Sequence, residues 1–433
     1  MINKNLGEKC LQYMKEEGAQ KSQYHLTRVE KTEINFNNTG VGLFRTTDHN
    51  EVSLKAIKDN KMAKTMLTNV EDHQFIKDRV KTLIEMCDSS EEDSNNDIAD
   101  VKSQGDFCCG PKEADIDRMY AIIEKLLKDC KEQFPELKFN ESFICFNKVE
   151  EHFMNSNGVN LSSSKGEYSL NIGYAAKDGE KSSSFSGVYV NVEELPKDLL
   201  QYGDIKQKIK ENVEQLNCKS IKGKFDGSII ITPDCFLEFI DTYNNIFLGD
   251  GSLITKTSIL KDKLNEKIAD EKLTVSCSPL NDAISSKAFI TKDGFKAENL
   301  TYIENGVLKS FLVSLYGAKK TGLKLNPTVD MIVVEPGDKS LEDIIKSTEK
   351  GVLLGRFSGG APASNGDFSG VAKNSYYIEN GKVQFPLIET MVSGNLYEML
   401  NSIESISKET SNMGYAIVPW VKANGIVISG KEE

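Results

Sequence analysis

The chain has 433 residues, of which 39% are hydrophobic and 8% aromatic, so it is long enough for two or three globular domains. Its formal net charge is −12 with the acidic residues spread along the chain, which argues against a nucleic-acid-binding surface. We find no apolar run of membrane-spanning length and no signal-peptide pattern. The nine cysteines lack regular spacing, as is typical of reduced thiols. We therefore expect a cytoplasmic protein that contacts neither nucleic acid nor a membrane.

The amino-terminal region, residues 1–216, alternates helices with strands of an antiparallel sheet. Apolar residues at helical spacing predict helices over 3–18, 70–87, 116–130 and 204–216. The segment 88–106 is acidic and poor in apolar residues, which favours a mobile loop over an acidic interaction tail. The polar stretch that begins at residue 217 predicts a domain boundary, and residues 217–433 are richer in strands and glycine turns. The fold class we expect is α+β, with a helix-and-sheet domain followed by a β-rich domain.

The β-rich domain begins with a short apolar strand, 228–231, and a helix predicted over 232–247. Thr232 is a good N-cap and Pro233 suits the first helical position. Asp234, Glu238 and Asp241 share the polar face of this helix with Asn245. Three carboxylates on one face could favour Mg²⁺ or Ca²⁺, but a solvated helix face is the simpler interpretation.

Two Asn-Gly pairs predict tight hairpins in the same domain. The sequence Tyr-Ile-Glu-Asn-Gly occurs at 302–306 and again at 377–381, each time between apolar runs. A type I′ turn requires positive φ at both central residues, which Asn-Gly tolerates best. The identical pentapeptides are either two convergent turns or related copies.

Five segments in order give this domain a family resemblance. They are the FLVSLYGAKKTG run at 311–322, Val-Glu-Pro-Gly-Asp at 334–338, Asn-Gly-Asp-Phe-Ser-Gly at 365–370, the second Glu-Asn-Gly hairpin, and Ser-Gly-Asn-Leu at 393–396. From about Gly227 onward the sequence resembles the TldD/PmbA family, whose members are peptide-maturation metallopeptidases also described as modulators of DNA gyrase. Before that residue the resemblance rests on the order of the elements.

The zinc-binding motif of TldD-type members is absent from the sequence. In that branch the helix equivalent to 232–247 carries His-Glu-x-x-x-His, and a cysteine near the carboxyl terminus resembles a third ligand. All four histidines of this chain precede residue 153. Where the family has these groups, our alignment places Ile240, Asp241, Asn245 and Tyr415. We expect no zinc in this chain.

The resemblance therefore implies the PmbA branch, in which a chain forms a homodimer or pairs with a TldD-like subunit that supplies zinc and the catalytic base. Such a chain would position an unfolded peptide by strand addition. Two alternatives stay open: an independent hydrolase with a divergent active site, and a non-catalytic, peptide-binding homodimer. Candidates for lining the peptide groove, which could equally stabilise turns or cap a helix, are Asn365, Asp367, Ser369 and Asn395.

Overall fold

The computed structural model describes residues 4–68 and 72–431. These residues form two sheets, of eight and thirteen strands, with helices packed against them. One sheet is built from strands within 21–192 and the other from strands within 224–429. The expected α+β class is confirmed. Among the described residues, no helix is both long enough and apolar enough to cross a membrane.

The amino-terminal sheet is built on long antiparallel strands in the order β3-β2-β1-β5-β6-β4, and β7 and β8 also pair with β6. β4 is parallel to β6. The strands are β1 (Lys21–Asn37), β2 (Gly40–Lys58), β3 (Lys61–Leu67), β4 (Gln104–Cys109), β5 (Leu137–Asn155), β6 (Asn160–Asp178), β7 (Lys181–Ser182) and β8 (Ser186–Val192). The helices of this half are α1 (Lys4–Glu16), α2 (His73–Ser89), α3 (Ile116–Gln133) and α4 (Ile205–Glu214).

The four predicted helices of this half are confirmed, with small differences at their ends; residues 3, 70 and 71 lie outside the described residues. Their apolar stripes cover one face of the sheet in two clusters, one under α1 and α2 and one under α3 and α4. The strands are longer than the alternation pattern predicts. Arg28, for example, lies inside β1 and pairs across the sheet with Asp48 and Glu150. Such cross-strand ion pairs stabilise charged residues inside a strand, at positions where the alternation pattern predicts that the strand ends.

The acidic segment expected to be a mobile loop has no regular structure over residues 93–103. It nevertheless buries Ile98 and Ala99, which the prediction of a mobile loop did not include. The Asp97 carboxylate accepts a hydrogen bond from Lys21 Nζ at 2.6 Å and pairs with Lys319 of the other half. Residues 88–89 and 104–106, which were predicted as part of the loop, belong to α2 and β4.

The carboxyl-terminal sheet has the order β12-β11-β10-β13-β21-β9-β14-β17-β18, with a branch β15-β16-β19 joined to β21 and β20 also paired with β21. The strands are β9 (Lys224–Ile231), β10 (Val275–Cys277), β11 (Leu300–Glu304), β12 (Val307–Leu308), β13 (Ile332–Val334), β14 (Lys350–Leu354), β15 (Arg356–Gly359), β16 (Asp367–Lys373), β17 (Tyr376–Glu379), β18 (Lys382–Pro386), β19 (Met391–Asn395), β20 (Ile403–Asn412) and β21 (Ile417–Ser429). Its helices are α5 (Pro233–Tyr243), α6 (Asp250–Ile254), α7 (Leu315–Thr321), α8 (Leu341–Lys346) and α9 (Leu396–Asn401).

Both predicted Asn-Gly hairpins are confirmed. They connect β11 to β12 and β17 to β18. φ is +48° at Asn305 and +75° at Gly306, and +51° at Asn380 and +71° at Gly381. These are the two consecutive positive angles that a type I′ turn requires.

The helix predicted over 232–247 is also present, but it changes character near its end. α5 ends at Tyr243, and residues 244–248 continue it as a π-helix. Thr232 occupies the N-cap position as predicted, although its hydroxyl donates to the Gly355 carbonyl instead of capping the helix. The buried face of α5 packs into the large apolar core of the carboxyl-terminal half.

Candidate functional site

A cleft of about 760 Å³ lies between the two halves of the chain. α4 forms one wall and α5 the other, and the start of β15 contributes to the floor. Aromatic side chains from both halves line it, among them Tyr189, Tyr376, Tyr415 and Trp420. A concave site of this size that combines aromatic and charged side chains is a candidate for ligand binding.

Polar contacts between the halves hold the cleft walls in place. Lys208 on α4 donates to Asp234 on α5 at 2.5 Å and also pairs with Asp204 at 3.3 Å. The Tyr376 hydroxyl donates to the Glu214 carboxylate at 2.8 Å. These contacts anchor α4 to the carboxyl-terminal half, so both halves contribute to one site.

Carboxylates outnumber cations in the cleft. Burial and the negative charge of Asp330 raise the pKa of Asp241 to about 6. Burial, together with the charge of Asp234, also raises the pKa of Glu238, although the guanidinium of Arg356 opposes this shift. Crowded, partly buried carboxylates retain protons more readily.

Arg356 is the cation of this cleft that lacks a partner. Its side chain is half-buried, and its Nε is buried without a hydrogen-bond partner. Across residues 4–68 and 72–431, no ion pair within 4 Å involves its guanidinium. A buried arginine donor without an acceptor is unusual, because arginine normally satisfies its N–H groups when it leaves water.

β15 is an edge strand whose first residue, Arg356, lines the cleft. It pairs with β16, and no other described strand pairs with it. Phe357 holds it in place by packing against Phe239 and Phe368, with ring centroids 5.4 and 5.6 Å away. Ser358 and Gly359 are exposed. An exposed strand edge of this kind can accept an extended peptide as an additional strand.

The structure does not bring the four positions of the family's metal ligands and base together as a donor set. Ile240 is fully buried in the core and carries no donor atom. The Asn245 amide donates to the Asp241 carbonyl at 2.9 Å within its own helix. Asp241 and Tyr415 do line the cleft, but burial raises the pKa of Tyr415 to about 12, so its phenol stays protonated. These side chains do not fit a zinc ion, which needs three or four N, S or anionic O ligands.

Within residues 4–68 and 72–431, no three His, Cys, Asp or Glu side chains are arranged to hold a metal ion. The three carboxylates predicted on one helix face do not form such a group.

The four candidate groove residues lie close together, Asn365 in the turn before β16 and the others on the adjacent strands β16 and β19, but they bond mainly to one another. Asn365 and Asn395 donate to the Asp367 carboxylate at 2.7 and 2.8 Å. The Asn395 side chain also caps α9. The hydroxyls of Ser369 and Ser393 are 2.7 Å apart. These contacts match the alternative of turn stabilisation and helix capping, and their role in a peptide groove stays a prediction.

Sequence reasoning missed Lys208, Arg356 and Trp420, since the elements that carry them meet only in the folded chain. One compositional signal could have pointed to Arg356. The chain has 53 basic residues, of which five are arginines, and Arg356 is the only arginine after residue 118.

The second half of the chain matches a known protein family. Residues 223–430 match the family described as the PmbA/TldA metallopeptidase C-terminal domain. The chain is 30% identical over 200 residues to a metalloprotease of Methanothermobacter thermautotrophicus, covering 43% of each chain. It is 29% identical over 188 residues to the metalloprotease PmbA of Escherichia coli O157:H7, covering 41% of each. The aligned part of the chain spans about half the length of the curated relatives it matches.

Solved structures extend the similarity in fold to the whole chain. TldE from Thermococcus kodakarensis superposes with a TM-score of 0.80 at 19% identity, covering 98% of this chain and 100% of TldE. A candidate modulator of DNA gyrase from Bacteroides thetaiotaomicron superposes with a TM-score of 0.84 at 22% identity, covering 99% of each chain.

Proposed function

We propose that the chain, whose residues 223–430 match the PmbA/TldA metallopeptidase C-terminal domain, is a PmbA-like subunit of a TldD/PmbA-type peptidase system. In this role it holds an unfolded peptide in the cleft, and it does not carry the metal itself. A TldD-like subunit with the His-Glu-x-x-x-His motif supplies the zinc and the catalytic base. The system processes or degrades unfolded peptides.

The observation that carries the proposal concerns α5 and its continuation, the helix that lines one side of the cleft. Its two positions for metal-binding histidines are Ile240, buried in the core, and Asn245, bonded to its own helix. The cleft beside that helix and the edge strand β15 are nevertheless present. A site that keeps its binding surface but has no ligand set for the metal supports binding without independent catalysis.

Strand addition explains how such a site could accept many sequences. A peptide paired to the edge of β15 would bond mainly through its main chain, which is common to all sequences, and alternate side chains would point toward the cleft. An unfolded segment has free main-chain groups for this pairing, whereas a folded protein does not.

Three measurements on the purified full chain test this proposal. Elemental analysis should find far less than one zinc per chain, and mass spectrometry should find an unfolded test peptide intact after incubation. Addition of a TldD-like chain should restore cleavage, and a TldD-like variant with glutamine at the motif glutamate should not. One tightly bound zinc per chain, or cleavage by the chain alone, would refute the proposal.

A second candidate function is that of an independent hydrolase, favoured by the Asp241 carboxyl. Its pKa of about 6 suits a group that accepts protons near neutral pH. This candidate predicts that the chain alone cleaves peptide in the presence of a chelator and that Asp241→Asn abolishes the cleavage. The proposed subunit predicts no such activity.

A further inference from the structure

We infer that Arg356 is the receptor for the terminal carboxylate of a bound peptide; this rests on the proposed function and specifies which chemical group of the peptide the cleft recognises. The inference starts from the unpartnered Nε and the absence of an ion pair for the guanidinium within the described part of the chain. The planar guanidinium can donate two parallel hydrogen bonds to one carboxylate.

The position of Arg356 matches that role. It is the first residue of β15, the strand whose exposed edge continues through Ser358 and Gly359. A peptide that pairs with this edge places its main chain beside the strand and reaches the cleft where Arg356 lies. The guanidinium is thus located where an added strand ends.

The other charges in the cleft restrict the ligand further. Lys208 is already paired with Asp234 and Asp204, so it does not offer a second anion site. Asp241 and Glu238 have raised pKa values, and both lie on α5 and line the cleft. Acidic side chains elsewhere on the peptide would be repelled by these carboxylates. The favoured ligand carries one carboxylate, at its end, on an otherwise neutral or basic chain.

The choice of arginine is consistent with a geometric requirement. Lysine is the usual basic residue of this chain, and arginine occurs five times among 53 basic residues. A single charge could be supplied by lysine, whereas two parallel hydrogen bonds to a carboxylate require the fork of arginine.

The test compares two forms of one peptide mixture. A neutral mixed-sequence hexapeptide library is labelled with a fluorophore at the amino end and prepared with either a free carboxyl terminus or an amidated one. At pH 7.5 the free terminus is ionised. Fluorescence anisotropy with the full chain should show the free acid binding about tenfold or more tighter than the amide, since a charge-assisted pair to arginine is lost in the amide.

Variants of Arg356 test whether this residue causes the difference in affinity between the free acid and the amide. Arg356→Gln should bind acid and amide equally, and Arg356→Lys should keep a reduced preference. Lys373→Gln is the matched control, because Lys373 is the cross-strand partner of Arg356 on β16 and does not line the cleft. It should keep the full preference.

The outcomes separate this inference from the function on which it rests. Equal binding of acid and amide by the unmodified chain overturns the carboxylate receptor and leaves peptide binding intact. Binding of neither form overturns both. If Arg356→Gln does not fold, the acid–amide comparison and Arg356→Lys decide the matter, and full preference in Arg356→Lys refutes the requirement for a fork.

Discussion

Gly414 lies in the turn between β20 and β21, where the two halves meet. Its φ is +82°, and a Cβ built at this position would be 1.9 Å from the Asn191 carbonyl oxygen. That oxygen belongs to the backbone of β8, so no side-chain rotation can relieve the overlap. Gly414→Ala must therefore push the turn away from β8.

The loss of stability in Gly414→Ala is the sum of a conformational term and two hydrogen-bond terms. The left-handed conformation costs an alanine about 1–2 kcal/mol. Moving the turn weakens two hydrogen bonds of 2.9 Å, from the Asn191 N–H to the Met413 carbonyl and from the Ser286 N–H to the Gly414 carbonyl. Each contributes about 1 kcal/mol. We expect Gly414→Ala to lower the free energy of unfolding by about 3–4 kcal/mol.

Urea unfolding, followed through the single tryptophan, measures this change. The matched control is Gly425→Ala, at φ +75° with nothing within 4 Å of the built Cβ. The control should lose only the conformational cost of about 1–2 kcal/mol. Equal destabilisation of the two variants would show that the contact with Asn191 is not the cause.

Two further predictions concern pH. Desolvation acts to raise the pKa of Asp97, but hydrogen bonds from Lys21 and Lys319 help to hold it at about 2. The ionised carboxylate therefore stabilises the fold above the unfolded pKa of about 4, and this stabilisation is lost as pH falls toward 2. Asp97→Asn should lower the free energy of unfolding by about 1–2 kcal/mol at pH 7 and leave it unchanged near pH 2. The exposed control Asp100→Asn should change it little at either pH. A difference between Asp97→Asn and the unmodified chain that stays constant across this pH range would contradict the role of the ion pairs. Burial and the charge of Asp330 raise the pKa of Asp241 to about 6. Its protonated form therefore stabilises the fold below the unfolded pKa of about 4, and this stabilisation is lost as pH rises through 6. Asp241→Asn should stabilise the protein more at pH 8 than at pH 4. Trp420 lines the same cleft, and its fluorescence should titrate with a midpoint near 6 that Asp241→Asn abolishes; an unchanged midpoint would assign the titration to another group.

The local elements of this protein followed from its sequence, because their causes are local. Asn-Gly pairs tolerate two consecutive positive φ angles, which gave both hairpins. The helix-capping alternative for Asn395 is also local, since a side-chain oxygen satisfies backbone N–H groups only a few residues away, and Asn395 does cap α9. The absence of histidine after residue 152 was visible without any structure and directed the proposal toward a chain without its own zinc.

The cleft was decided by tertiary structure alone. Lys208 and Asp234 are 26 residues apart and meet across the two halves. Arg356 reaches the same space from a strand edge, and the raised pKa of Asp241 depends on burial and on Asp330, far away in the chain. Spacing along a chain predicts which side chains share a helix face or a turn, but burial and charge depend on distances in space that only the packed fold sets.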